Sequence, residues 1–180
     1  MERFPLIPVE DEGRLHDDGI RENFIERIFV FNRWKELIKN GATRGNLVDF
    51  HTDHKLLIMA HSPKLLRELG KLVAHAKERD QDTVFSDYFT LLMDTMRLKT
   101  TVKKNTNTLH HMMGYFKKVL TPDEKQELLE VIDAYHNALV PLVVPIVLFQ
   151  HYVRKYDEPY LRRQHYLHPH PVELKLRNHV

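Results

Sequence analysis

The chain has 180 residues, 42% of them hydrophobic and 29% charged, with a net charge of +2 and no cysteine. This is the composition of a folded domain, and the length suits about one of them. The missing cysteines exclude disulfides, thiol nucleophiles, and any iron–sulfur or zinc site built on protein thiolates; they fit a reducing, cytoplasmic setting.

The opening residues lack the basic-then-apolar order of a secretory leader. Residues 1–20 are rich in acids, with Pro5, Pro8, Gly13 and Gly19 among them, and read as an extended arm ahead of a single domain over 21–180. A first helix is expected over 20–40. Its apolar positions Phe24, Ile28, Phe31, Leu37 and Ile38 recur at helical spacing, and Gly41 stops it. A second, over 44–61, is closed by Ser62-Pro63, and Pro63 opens a third that runs to 79. Asp82 caps a fourth, to 99, with Phe85, Phe89, Leu92, Met93 and Met96 inward. A fifth covers 101–120. Thr121-Pro122-Asp123-Glu124 spells a capping box for a sixth, to 140. A seventh begins near Pro141 or Pro145 and reaches 156, and a short eighth follows Pro159. The apolar run 138–149 is too short to cross a bilayer, and its two prolines argue against a central strand. From Leu167 the chain reads as an irregular strap. The expected fold is therefore all-α, a single bundle of seven to eight helices.

Chemistry concentrates in the histidines, of which there are thirteen. On the second helix His51, His54 and His61 share one face with Leu47 and Ile58. Such a stripe suits histidines tied to carbonyls or carboxylates at the core edge, an acid–base or binding site, or a metal site. The spacing lacks the glutamate of the H-E-x-x-H signature. The fifth helix has an apolar stripe of Leu109, Met112, Met113, Phe116 and Leu120. Its other face presents Lys104, Asn107, His111, Gly114, Tyr115 and Lys118. No acid lies between Asp94 and Asp123, while six lysines and arginines do. Lysines for phosphate, Asn and His for base edges and Tyr for stacking would suit a nucleobase or RNA; a solvated basic face has the same composition. A third cluster, around His151, Arg162, Arg163, His165, His168 and His170, extends the basic character. There is no glycine-rich phosphate loop and no nucleophile elbow.

Several segments carry a family resemblance. They are Glu22-Asn23-Phe24-Ile25-Glu26-Arg27, Phe50-His51-Thr52-Asp53-His54-Lys55, Met59-Ala60-His61-Ser62, Thr106-Asn107-Thr108-Leu109-His110-His111, Gly114-Tyr115-Phe116-Lys117-Lys118 and Tyr166-Leu167-His168-Pro169-His170-Pro171. In this order they resemble the YbgA family, bacterial domains of unassigned function. Related domains are often fused behind a desulfidase-type domain that binds an iron–sulfur cluster and acts on thiouracil. The resemblance thus implies a desulfidase-type protein partner and a setting in thionucleobase or transfer-RNA sulfur metabolism. It draws attention to His51, His54, Lys55, His61, Asn107, His111 and Tyr115. With Lys104 and Lys118 these form the candidate site for a nucleobase, nucleotide or RNA, without a metal or cofactor. A histidine-centred enzyme, metal-dependent or acid–base, and a structural or oligomerisation domain are the alternatives.

Overall fold

The structure, a computed structural model, describes residues 6–171 and 176–178. The rest of the expected strap, 172–175 and 179–180, and the first five residues of the expected arm lie outside the described residues. Eight α-helices and three short 3₁₀ turns make up the described part, with no strand among them. They are α1 (Asp18–Lys39), α2 (Arg44–His61), α3 (Pro63–Ala74), α4 (Gln81–Met96), α5 (Val102–Met113), α6 (Pro122–His136), α7 (Val143–Lys155) and α8 (Pro159–Arg162). The 3₁₀ turns are Gly13–His16, Ala76–Glu78 and Gly114–Phe116.

Local chemistry sets the starts of the helices. The side chains of Asp17, Thr43, Ser62, Asp80 and Thr101 each accept from a backbone N–H in the first turn of the helix they open. Thr121 and Glu124 form the reciprocal capping box, with Pro122 in the first turn. Asp80, not Asp82, caps α4. The fifth helix is shorter than its periodicity suggests: α5 ends at Met113, and the chain tightens through Gly114–Phe116 before a turn leads to α6. Gly41 follows α1 at φ +106°, a conformation that an L side chain rarely adopts. Ala138 takes the same left-handed role after α6 at φ 56°. Ala138→Gly is therefore expected to raise stability by up to about 1 kcal/mol, read as a higher urea midpoint.

α2 is the central element and packs on α3, α4 and α5; α1 lies on α4, and α6 bridges α5 and α7. Leu47, Leu57, Ile58, Leu92, Met96, Leu109, Phe116 and Phe149 are closed from solvent. Trp34 of α1 is held by four rings: Phe50 edge-on, Tyr88 and Phe89 stacked, Phe85 tilted. α1 turns a different face inward from the one its apolar residues mark. Asn23, Glu26, Arg27, Val30 and Trp34 are buried, whereas Phe24, Ile28, Phe31 and Leu37 are half-buried and Ile38 is exposed. The buried carboxylates are tolerated there because the interior supplies their partners.

The irregular segment after α8 is stapled to α2. Gln164 is closed from solvent; its Nε2 donates to Thr52 O at 2.7 Å and its Oε1 accepts from Leu56 N at 3.2 Å. The next residue continues the contact, with His165 N donating to Asp53 O at 2.9 Å. No helix among the described residues is long and apolar enough to cross a membrane.

Candidate functional site

The sequence-predicted residues separate into a buried set and an exposed set. His51, His54 and His61 all face the interior. His51 Nδ1 meets the Tyr88 hydroxyl at 3.0 Å, and its Nε2 lies 3.8 Å from where a Cβ on Gly70 would stand, an ordinary contact that places the ring between α2 and α3. His54 Nδ1 donates to Phe50 O at 2.8 Å; its ring stacks on Phe50 and lies 4.3 Å from the ring of His165. Its Nε2 is buried without a partner. Burial pushes His54 well below the usual histidine range, and the neighbouring His165 adds to this. Burial likewise lowers His51 and His165 to about 4, helped by Lys55 in the first case and by Arg33 in the second.

His61 leads to a polar network that the sequence does not announce. Its Nδ1 lies 2.6 Å from Leu98 O and its Nε2 3.3 Å from Glu26 Oε2. Arg177 reaches in from the strap, donating to Glu22 Oε1 at 3.1 Å and to Glu26 Oε1 at 2.7 Å. Its third nitrogen donates to Tyr166 O at 2.7 Å. Burial would raise the Glu26 carboxyl, but Arg177 and His61 hold it down to about 2. Burial and the adjacent Glu26 charge push Glu22 up to about 7. The carboxylates and the ring of His170 offer ligand atoms within 4.8 Å of one another, a spacing that suits a metal ion. Here the Arg177 guanidinium already brings a positive charge to both carboxylates. The network continues through Tyr166, whose hydroxyl donates to Asn105 Oδ1 at 3.0 Å, while Asn105 Nδ2 donates to Tyr135 at 3.1 Å. The missed signal lies in spacing: Glu22 and Glu26 continue, four residues at a time, the row that ends in the core residues Val30 and Trp34.

The exposed set lies mainly on α5 and the turn after it. Asn107 and His111 of α5 and Lys118 beyond it are exposed, as is Lys55 on α2. Lys104 is half-buried and donates to Lys99 O at 2.9 Å. Tyr115 is 38% exposed and stacks on Tyr160 of α8, with centroids 4.8 Å apart and planes 13° from parallel. His111 stands edge-on to Tyr115 at 5.7 Å. Near Tyr160, Arg163 pairs with Asp49 and Asp53. Thus α2 and α5 are neighbours, as a shared site requires. Yet the α2 histidines point into the protein and the α5 residues point out of it. Tyr160 is the partner that short-range spacing on α5 did not reveal.

Residues 55–171 match the family described as "Protein of unknown function (DUF1722)". The chain is also 31% identical over 153 residues to the "Uncharacterized protein YbgA" of Escherichia coli (strain K12), covering 84% of this chain and 90% of that protein. No solved structure matches. The matched span runs from α2 into the strap, and together with the similarity to YbgA it shows that the chain belongs to the DUF1722 family.

Proposed function

We propose that the chain is an accessory module that binds single-stranded RNA or a nucleotide on the exposed face of α5 and α8. The observation that carries this reading is the Tyr115–Tyr160 stack, half open to solvent and flanked by His111. An aromatic surface of this kind accepts any base, because every base has a π-face. Lys103, Lys117 and Lys118 are exposed along the acid-free stretch and are placed to neutralise phosphates. Asn107 and His111 supply hydrogen-bonding groups for base edges. Gly114 keeps the approach open, since no atom lies within 4 Å of where its Cβ would stand. On this reading His51, His54 and His61 shape the interior behind the surface and do not touch the ligand. The setting implied by the family's fusion partners, thionucleobase or transfer-RNA sulfur chemistry, belongs to the same proposal.

The test is fluorescence anisotropy of a labelled single-stranded RNA against rising salt. Affinity is expected to fall steeply as salt rises. Tyr115→Ala should weaken binding by about 1–3 kcal/mol per lost stack, and Lys117→Glu with Lys118→Glu should flatten the salt dependence. An oligonucleotide carrying thiouridine in place of uridine, if bound more tightly, supports the sulfur-linked setting. No binding at low salt removes the reading.

A further inference from the structure

A second feature lies away from the α5 surface. A groove of about 930 Å³ opens between α1, α7 and the strap. That volume is at the upper end of what organic ligands occupy. Its walls are mixed in a particular way. Phe29, Val143, Ile146 and Val147 give an apolar side, and Val147 is 56% exposed. Arg33 of α1 and, along the strap, His168, His170 and Arg177 give a cationic and imidazole side, although the carboxylates of Glu22 and Glu26 also offer oxygens within 4.8 Å of the His170 ring.

The polar side has nitrogens left over. Arg33 Nη2 donates to Pro169 O at 2.6 Å, but Nη1 is shielded from solvent with no acceptor. His170 Nδ1 donates to Pro171 O at 3.1 Å, and its Nε2 is likewise shielded and unpaired. Arg33 is close enough for its charge to act on His54, His165 and His170 alike. Folded proteins pair nearly all buried polar groups, so the unpaired nitrogens of Arg33 and His170, two residues lining one groove, call for an explanation. Arg177 cannot offer Arg33 an acceptor, because a guanidinium only donates, and its own bonds go to Glu22, Glu26 and Tyr166 O. An oxyanion at the strap end of the groove does. It accepts from Arg33 Nη1 and favours the protonated form of His170, whose Nε2–H then donates to it as well. Both nitrogens are shielded in this arrangement, so the oxyanion reaches them only if the strap around Pro169 and His170 yields, while Gln164 and His165 stay anchored to α2.

We propose that this groove binds an organic oxyanion, a phosphate or carboxylate head held by Arg33 and His170 with an apolar body lying on Phe29, Ile146 and Val147. The site is independent of the RNA-binding reading, and either stands without the other.

The test is titration of the full chain, followed by calorimetry and by NMR of the histidine ring protons, with four probes: hexyl phosphate, hexanoate, inorganic phosphate and 1-hexanol. The two amphiphilic anions are expected to bind at least about tenfold more tightly than inorganic phosphate or the alcohol, and to shift the His170 ring signals. Their order separates a phosphate site from a carboxylate site. Arg33→Met should weaken the anions selectively and leave hexanol unchanged. Val147→Glu alters an exposed position, so the fold should survive; it should abolish binding of the hexyl probes. The proposal is overturned if no amphiphilic anion binds at millimolar concentration, or if one binds and neither substitution weakens it.

Discussion

Arg177→Met is expected to destabilise the protein by about 3–5 kcal/mol at neutral pH, the usual cost of stripping one partner from a buried ion pair. Methionine fills much the same volume but withdraws the guanidinium from two carboxylates that are almost closed to water, and it takes a donor from Tyr166 O. The loss should shrink as pH falls, because Glu26 without Arg177 escapes its charge cost by taking up a proton. The triple variant Glu22→Gln, Glu26→Gln, Arg177→Met should recover much of the loss, since exchanging a whole buried ionic group for neutral residues is often close to neutral. Urea unfolding at pH 7 and pH 5 measures all of this. A loss below about 1 kcal/mol for Arg177→Met would mean that the network is solvated and behaves as a surface pair.

Acidification from pH 7 to pH 5 is expected to cost about 2–3 kcal/mol of stability, with no mutation at all. His51 and His165 are lowered to about 4 in the folded chain by burial, and burial holds His54 well below its ordinary value too. Below the ordinary histidine value of 6.5 the unfolded chain binds these three protons and the folded chain does not. Each therefore removes up to about 1.4 kcal/mol per pH unit until its folded value is reached. Glu22 works the other way. Raised to about 7, it keeps its proton in the folded state between pH 4.5 and 7, where the unfolded state has lost it, so it offsets about one histidine. His51 and His165 sit at the edge of the interior, which scales their share down. Below pH 4.5 Glu26, held near 2, adds its own loss. Denaturation midpoints at half-unit pH steps give the curve, and His54→Gln should flatten it by about one proton. A midpoint that stays level from pH 7 to pH 5 would show that the histidines charge freely inside the fold.

The all-α fold and most helix starts are legible in the sequence, because capping is local. Thr121 with Glu124, Thr43 and Ser62 each act within their own first turn. The inward stripes of α4 and α5 follow from 3.6-residue spacing: Phe85, Leu92, Met93 and Met96 are buried, as are Leu109, Met112 and Phe116. The inward face of α1 is not legible in the same way. Its deciding contacts come from Arg177 and His61, which no window on α1 contains. For the α2 histidines, periodicity reveals the shared face, but only the packing of Tyr88, Gly70 and His165 shows that the face is interior. Tyr115 is found from its own helix, whereas its stacking partner Tyr160 comes from an element 45 positions later in the numbering. Arg33 carries no motif and His170 is read only as one of a basic cluster; what marks them is the unpaired nitrogen each presents, and that is a property of three dimensions.

The bond between Arg177 and Glu22 joins positions 155 residues apart. During synthesis α1 leaves the ribosome well before the strap, with Glu22 and Glu26 facing what will become the interior. The guanidinium that pairs them arrives only after residue 177 has been made. Until then, closing α1 onto α4 means burying carboxylates that lack this cation, so water competes for the same surface. Docking of α1 should therefore wait for residue 177, with the helices from α2 onward packing first and the strap arginine completing the bundle.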